Sequence, residues 1–405
     1  MNRRVYTDAR VFDVEMRRVF GRTWVFVAHE DMLRGPGSFV TTSVGTTPVI
    51  VTVDGDGRLH VLVNRCAHRG SVVCREAAGT AKSFRCPYHG WIYAADGRLT
   101  GVAQRNGYPE ELAEWGLGLA AARVASYRGL VFACFDPGAE PLEERLRAVR
   151  PYIDMWYERA PTGRVAFPAG AHRYEYPGNW KLQCENGVDG YHGNYVHESF
   201  AKLLHRSGER TEHDVSRTRN ALGGRNHAKG LPHGDGLLER EDGMLGTFDY
   251  GSADAYRQEL AARYGEQRTS DILVQRNIFV YPNLFLFESH IRVVRPVAVD
   301  RTYVDVHPTE LVGAGADLNR DRLREHERFF GPASFGAPDD IDVFVRVQAG
   351  LRGGGPDWLE FSRGMHREEL NDEGERVGHS TDEAPQRSQY RRWLELMRKG
   401  SDAVE

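Results

Sequence analysis

Two short segments of this chain carry metal-binding side chains in tight pairs. One reads C-A-H-R-G and holds Cys66 and His68; the other reads C-P-Y-H-G-W and holds Cys86 and His89. Two thiolates and two imidazoles from two loops meet the needs of a Rieske [2Fe–2S] centre, with Cys66 and Cys86 on one iron and His68 and His89 on the other. A tetrahedral structural zinc accepts the same residue types. Zinc fingers usually pair Cys with Cys and His with His, whereas each loop here supplies one of each, which favours the cluster. Gly70 and Gly90, just after each pair, let backbone approach a cluster whose sulfides accept N–H groups.

A second constellation occupies residues 179–197, N-W-K-L-Q-C-E-N-G-V-D-G-Y-H-G-N-Y-V-H. Asp189 and His192 are spaced to share one face of a helix. His197 lies five residues after His192, about 140° around an ideal helix. The two imidazoles therefore meet at one ion only if the segment bends or ends between them, which Gly190 and Gly193 permit. Two neutral histidines and one carboxylate from elsewhere make the facial triad of non-haem Fe(II) oxygenases. Taken alone, the pair could equally be two structural histidines. After an electron-carrying cluster, the pair acquires a role as the destination of its electrons.

The elements that must position these groups can be read from periodicity. A helix is expected from about Asp8 to Trp24, with Val11, Phe12, Val14, Met16, Val19 and Phe20 on one face. Residues 1–37 are thus assigned as an N-terminal helical segment packing on the catalytic domain. From Ser38 to about Pro137 the period changes to two, in FVTTSV, TPVIVTV, LHVLVN, SFRC, WIYA and GLVFACF, so residues 38–150 read as an all-β domain with both ligand loops at hairpin tips. A helix is expected over 140–158. Residues 151–405 form the second domain. Its residues 223–236 read as a surface loop that roofs the site, with His227 and His233 as exposed polar residues. Its strands are QRNIFVYPNLFLFE, HIRVVRPVAV and TYVDVHPTELV, and 319–331 reads as a charged helix with Leu323, Phe329 and Phe330 inward. Gly353–Gly355 reads as loop, and the tail after Ser401 as frayed.

Composition sets the surroundings. The 405 residues allow two or three domains. A formal charge of −4 gives no electrostatic reason for a nucleic-acid or membrane partner, and no apolar run reaches the length of a membrane span. Cys74, Cys134 and Cys184 are scattered and read as buried thiols, so a reducing cytoplasm is expected.

The order of the two ligand loops, then N-W-K, E-N-x-x-D-x-Y-H-x-x-x-x-H and a late D-D pair, resembles the alpha (large) subunit of Rieske non-haem iron aromatic-ring-hydroxylating oxygenases. The likeness covers most of residues 15–350. Segments R-N-I-F-V-Y-P-N-L-F-L and I-R-V-V-R-P are similar to the benzoate, toluate and anthranilate branch. The resemblance implies an α+β chain: a Rieske domain, then a helix-grip catalytic domain with a curved antiparallel sheet. It implies a [2Fe–2S] Rieske cluster and a mononuclear Fe(II), with electrons coming from NAD(P)H through a separate reductase, with or without a ferredoxin. The third iron ligand maps onto Asp340, with Asp339 and Asp342 as alternatives. Asp189 is implied to hydrogen-bond His192 and the Rieske His89 of a neighbouring subunit. That requires a cyclic assembly, either a homotrimer or an α3β3 complex with a small beta subunit.

The activity expected is O2-dependent cis-dihydroxylation of an aromatic ring, with an aromatic carboxylate as substrate. A Rieske monooxygenase or O-demethylase uses the same ligands, and an electron-transfer protein would use only the first set. Val188, Leu284, Phe287 and Phe335 are candidate pocket residues. Arg292 is the candidate partner for a substrate carboxylate, because a carboxylate entering an apolar pocket requires a charged, preferably bidentate, partner.

Overall fold

The structure is a computed structural model and describes residues 1–168, 170–206, 226–241, 250 and 253–398. Residues 223–225 and the tail after Ser401 lie outside the described residues. The chain divides into two units, one of residues 16–145 and one of residues 1–15 with 146–405.

The first unit is built on strands. β1 (Val25–His29), β2 (Ser38–Val44), β3 (Thr47–Val53), β4 (Leu59–Val63), β5 (Ala78–Thr80), β9 (Ala121–Tyr127) and β10 (Leu130–Cys134) make a seven-stranded sheet in the order β1-β10-β9-β4-β3-β2-β5. A three-stranded sheet of β6 (Ser83–Arg85), β7 (Ile92–Ala94) and β8 (Leu99–Gly101) lies alongside it in sequence. All five residues of β1 and of β10 are buried, which explains the apolar runs V-F-V-A and L-V-F-A-C.

The N-terminal segment corrects the sequence reading. Helix Ala9–Glu15 passes into a single π-helical turn, Met16–Phe20, and the chain is extended again at Val25. Strand β1 pairs with β10, so residues 16–37 belong to the β unit and only residues 1–15 to the catalytic unit. The expected helix over 140–158 is two helices, Leu142–Leu146 and Arg150–Glu158, because Pro151 fits the first turn of a new helix and not the interior of an old one.

In the second unit nine strands form one antiparallel sheet in the order β12-β18-β17-β16-β15-β14-β13-β21-β20. Its strands are β12 (His172–Tyr176), β13 (His227–Gly230), β14 (Gly236–Arg240), β15 (Gln275–Val280), β16 (Leu284–Leu286), β17 (His290–Ala298), β18 (Arg301–Pro308), β20 (Glu369–Leu370) and β21 (Arg376–His379). A short pair, β11 (Val165–Ala166) and β19 (Glu310–Leu311), sits beside it in sequence. Helices Trp180–Asn186, Ala316–Phe330, Ala337–Arg352 and Ala384–Arg398 cover this sheet. Val304, Val306 and Tyr176 of the sheet pack on Phe344 and Leu351 of Ala337–Arg352.

Two further readings change. The expected roof loop is the β13–β14 hairpin inside the sheet, where His227 and His233 are half-buried. Gly230 is there for packing: a Cβ on it would stand 2.5 Å from the Ala384 carbonyl oxygen of the covering helix. The charged helix Ala316–Phe330 buries Asn319, Arg322, His326 and Phe329, so its charge run is not all solvated. Arg322, fully buried, donates Nε to Glu288 Oε1 at 3.0 Å.

Candidate metal centres

The first centre is framed by two loops of matching backbone design. In one, Cys66 N–H donates to Ser71 O at 2.9 Å and Gly70 N–H to Cys66 O at 2.9 Å. In the other, Cys86 N–H donates to Trp91 O at 2.7 Å and Gly90 N–H to Cys86 O at 3.0 Å. Gly70 and Gly90 have φ of +74° and +68°, a conformation open to glycine, and that closes each loop. The second loop is the hairpin tip between β6 and β7. The first joins β4 to β5, which pair with other strands, so it is not a hairpin tip. Asn64 holds it instead, accepting N–H bonds from Val73 at 3.0 Å and Cys74 at 2.9 Å.

The cysteines are buried and the histidines sit half-exposed at the rim. Tyr93 Oη lies 3.1 Å from Cys66 Sγ and accepts the Ala67 N–H at 3.1 Å. Burial pushes the Cys86 thiol up, but the backbone N–H groups of Tyr88 and His89 and contacts with Cys66 and Ser71 hold it below its ordinary value. The His68 and His89 rings are 4.6 Å apart, and His68 stacks on Trp91 at 4.9 Å with 5° between planes. Among the described residues these four side chains do not gather three ligand atoms around a single point as the second centre does. Thiolates stabilised by N–H groups inside and imidazole edges outside fit a cluster that passes electrons through its histidines.

The second centre joins a broken helix to the start of another. Helix Trp180–Asn186 is capped by Asn179, whose side chain accepts the Lys181 N–H at 3.2 Å. It ends at Gly187, where a Cβ would meet the Phe285 ring at 2.4 Å. A turn follows, pinned by Asp189 Oδ1, which accepts N–H bonds from Tyr191 at 2.5 Å and His192 at 3.1 Å. Helix Gly193–Val196 is one turn long, and His197 breaks it at φ −97° and ψ 22° before Glu198–Arg206 begins. This break turns the five-residue spacing into convergence. Gly190 contributes by close packing, since a Cβ there would lie 2.2 Å from Ser380 O; Gly193 meets nothing closer than 3.9 Å.

His192 Nε2 and His197 Nε2 lie 3.5 and 3.4 Å from Asp340 Oδ1, and the three ligand atoms are within 4.8 Å of one another. Asp340 is buried in the first turn of Ala337–Arg352, opened by Pro338, and its Oδ1 accepts Asn186 Nδ2 at 3.1 Å. Asp339 stands outside this point, 3.7 Å from His197 Nδ1 and accepting Ser199 Oγ at 3.3 Å. Asp342 is exposed and paired with Arg346 at 2.7 Å, so it is not placed as an alternative ligand. Asp189 Oδ1 is 3.7 Å from His192 Nδ1. Each imidazole thus points Nε2 inward and turns Nδ1 toward an outer carboxylate 3.7 Å away, beyond hydrogen-bond distance.

Burial pushes His192 down, but Asp189 and Asp340 raise it to about 9. Burial and the charge of His192 hold His197 below its ordinary value against the pull of Asp340 and Asp339. For Asp189, burial raises the carboxyl and contact with His192 more than reverses it. Two inward nitrogens beside one carboxylate suit one divalent ion, whose binding would require both imidazoles neutral. The three-ligand set leaves coordination positions for O2 or water. Asn186 lay inside the E-N-x-x-D motif without an assigned role; its position three residues before Asp189 was the available signal. Of the expected pocket residues, Phe287 lies near this centre through Phe330 and Phe329. Leu284 is paired with Val293 and so faces away from the side that carries Arg292, Phe335 is 58% exposed, and Val188 is buried where a Cβ on Gly236 would meet it at 3.5 Å.

Among the described residues no helix is long and apolar enough to cross a membrane. Residues 23–121 match the Rieske [2Fe-2S] domain, and residues 167–398 match the ring hydroxylating alpha subunit catalytic domain. The chain is 33% identical to the 2-halobenzoate 1,2-dioxygenase large subunit of Burkholderia cepacia, covering 99% of this chain and 90% of that one. It is 35% identical to the toluate 1,2-dioxygenase subunit alpha of Pseudomonas putida, covering 92% and 83% respectively. A naphthalene 1,2-dioxygenase structure with indole in its active site superposes with a TM-score of 0.86 at 28% identity, over 98% of this chain and 92% of that one. With both domain matches in place and the half-barrel sheet shared, this chain belongs to the alpha subunits of aromatic-ring-hydroxylating dioxygenases, oligomeric oxygenase components that take electrons from a reductase and carry a Rieske [2Fe–2S] cluster and a mononuclear iron.

Proposed function

We propose that this chain cis-dihydroxylates the ring of an aromatic carboxylate. The observation that carries the reading is the convergence of His192 Nε2, His197 Nε2 and Asp340 Oδ1 within 4.8 Å, in a chain that also holds paired Cys/His loops. The carboxylate is supported by the 2-halobenzoate, anthranilate and toluate enzymes among its relatives. Cys66 and Cys86 would hold one iron of the cluster, His68 and His89 the other, and His192, His197 and Asp340 the mononuclear iron. When bound, that iron supplies O2 activation at the expense of electrons from the cluster. Asn186 orients Asp340 through its amide, and Asp189 orients His192 by accepting its backbone N–H at 3.1 Å. Asp189 would also accept a hydrogen bond from His89 of a neighbouring copy, which makes the working form a cyclic trimer, alone or with a small beta subunit. A cytoplasmic location suits a system that draws on NAD(P)H through a reductase and a ferredoxin.

The test is O2 uptake by the holoenzyme with a surrogate reductase and a panel of benzoate, anthranilate, toluates and neutral aromatics, using 18O2. Two labelled oxygens in a non-aromatic cis-diol from an acid support the reading. One labelled oxygen in a phenol or a dealkylated product would instead assign a monooxygenase. Cluster reduction without O2 uptake on any aromatic would leave only electron transfer.

A further inference from the structure

A second polar cluster lies on the face of the sheet that meets Ala337–Arg352. Across three strands the register pairs His172 with Val306 and Val306 with Arg292, so their side chains leave the same face. His290, two residues before Arg292 on β17, shares that face. Helix Ala316–Phe330 brings His326 and Phe330 onto it. The His290 ring is 4.8 Å from His326 and 4.7 Å from Phe330, and His172 is 6.0 Å from His326. Phe330 touches Phe329 at 4.6 Å, and Phe329 touches His197 at 4.9 Å, so two phenylalanines separate this cluster from the iron ligands.

Arg292 is 3% exposed, and among the described residues it has no carboxylate partner; its Nε is buried without a hydrogen bond. Two other buried arginines of this unit have carboxylate partners, Arg322 with Glu288 at 3.0 Å and Arg276 with Glu239 at 2.6 Å. What Arg292 has is two ring faces, Phe287 at 4.5 Å and Phe330 at 5.4 Å. Ring faces return less than the cost of stripping water from a guanidinium, so among the described residues this site is one anion short of balance. The Nε2 atoms of His172, His290 and His326 are also buried and unpartnered.

Ser289 Oγ lies 3.4 Å from His290 Nδ1 and 3.3 Å from His326 Nδ1. When the hydroxyl donates, its one proton serves only one of them. With both rings neutral, the ring that accepts it carries its own proton on Nε2, as a donor with nothing to bond. Burial and the charges of neighbouring His326 and Arg292 hold His290 well below its usual value, and burial with His172 and Arg292 takes His326 to about 3, so both rings are neutral.

We propose that Arg292, with the Nε2–H of His290 or His326, receives the carboxylate of the aromatic substrate, while Phe287 and Phe330 flank its ring. This rests on the aromatic-carboxylate reading above and adds the residues that read the acid. No bond is made or broken at this subsite.

The probe is benzoate, with benzamide as its neutral isostere, measured by anaerobic calorimetric binding to the holoenzyme. Wild type should bind benzoate at least about 30-fold more tightly than benzamide. Arg292→Gln should erase that preference, weakening benzoate about 30-fold or more and benzamide less than about 3-fold, with the Rieske spectrum intact. Arg292→Lys, which keeps the charge, should restore part of it. Equal benzoate and benzamide affinities in wild type would overturn the proposal without any variant. So would equal losses for both ligands in Arg292→Gln, while leaving the aromatic-acid reading standing. Failure of wild type to bind benzoate while it binds toluene would overturn the aromatic-acid reading and this subsite with it.

Discussion

Replacing Glu185 with Gln should make the protein more resistant to heat as pH rises. Glu185 sits on helix Trp180–Asn186, one residue before the asparagine that orients Asp340. Tyr6 donates to its Oε1 at 2.8 Å, and the Tyr390 hydroxyl contacts both groups. Burial drives the Glu185 carboxyl up to about 7, against the Tyr390 and Tyr6 hydroxyls and the charge of Lys181. In the unfolded chain it titrates at its ordinary 4.5. The folded state therefore binds more protons between these two pH values, and stability that is fully present below 4.5 is lost as pH climbs through about 7. At about 1.36 kcal/mol per pH unit the loss approaches about 3 kcal/mol by pH 8, of which about 2 kcal/mol falls between pH 5.5 and 8. Gln keeps an acceptor for one tyrosine and removes the titration. The gap in melting temperature, Glu185→Gln minus wild type, should widen by roughly 4–8 °C across that range. Other titrating groups cancel in the difference. Thermal melts of both holoproteins followed by tryptophan fluorescence measure it. A gap that stays flat from pH 5.5 to 8 would refute the buried, protonated carboxyl.

The remaining expectations concern the two metal centres. His192→Ala should lower bound mononuclear iron at least about 10-fold and abolish turnover while leaving the Rieske absorbance unchanged, since the two ligand sets share no residue; iron and sulfide assays on the purified variant check this, and full activity would remove the segment from the chemistry. Asp189→Asn should keep both metals but slow oxidation of the prereduced cluster in a single turnover by about 100-fold or more, because it loses the carboxylate beside His192 Nδ1; a normal stopped-flow trace would defeat the bridge. His89→Cys should move the cluster potential toward the about −400 mV of all-cysteine clusters, read by EPR-monitored titration. Wild-type protein with one zinc and no labile sulfide would sink the cluster assignment.

The candidate ligands could be proposed because ligand chemistry is written locally: Cys66, His68, Cys86 and His89 fall within two short loops, and His192 and His197 within one turn-rich segment. Asp340 came only from resemblance, since nothing in A-P-D-D-I-D separates it from Asp339 except which one the helix buries. β1 was missed because V-F-V-A-H follows a helical segment without alternation; all five residues are buried, so neither period appears. The β13–β14 hairpin was misread for a different reason. Glycines at 230, 234 and 236 signal turns in sequence, but Gly230 and Gly236 face each other across the hairpin, where the covering helix leaves Gly230 no room for a side chain. The buried charges were invisible altogether. Glu15 accepts from Lys181 at 2.7 Å, Trp180 at 3.0 Å and Trp393 at 2.7 Å, partners up to 378 positions away that no window of sequence joins.

The two ends of the proposed substrate site are held by different kinds of structure. Arg292 and His290 stand on a central strand paired on both sides by β16 and β18, where main-chain hydrogen bonds leave little freedom. The candidate iron ligands stand at the two ends of a one-turn helix and in the first turn of another helix, places where small backbone changes move side chains easily. Phe329 and Phe330 link them, since consecutive residues of one helix touch His197 and the arginine cluster in turn. Gly336 seats that link, because a Cβ there would come within 2.5 Å of the Phe329 ring just before the helix that carries Asp340. A ring anchored by its acid on the rigid strand would therefore meet a metal whose ligands can adjust. On that proposal, the packing of those two phenylalanines would set how far the acid end of the ring stands from the His197 side of the metal site.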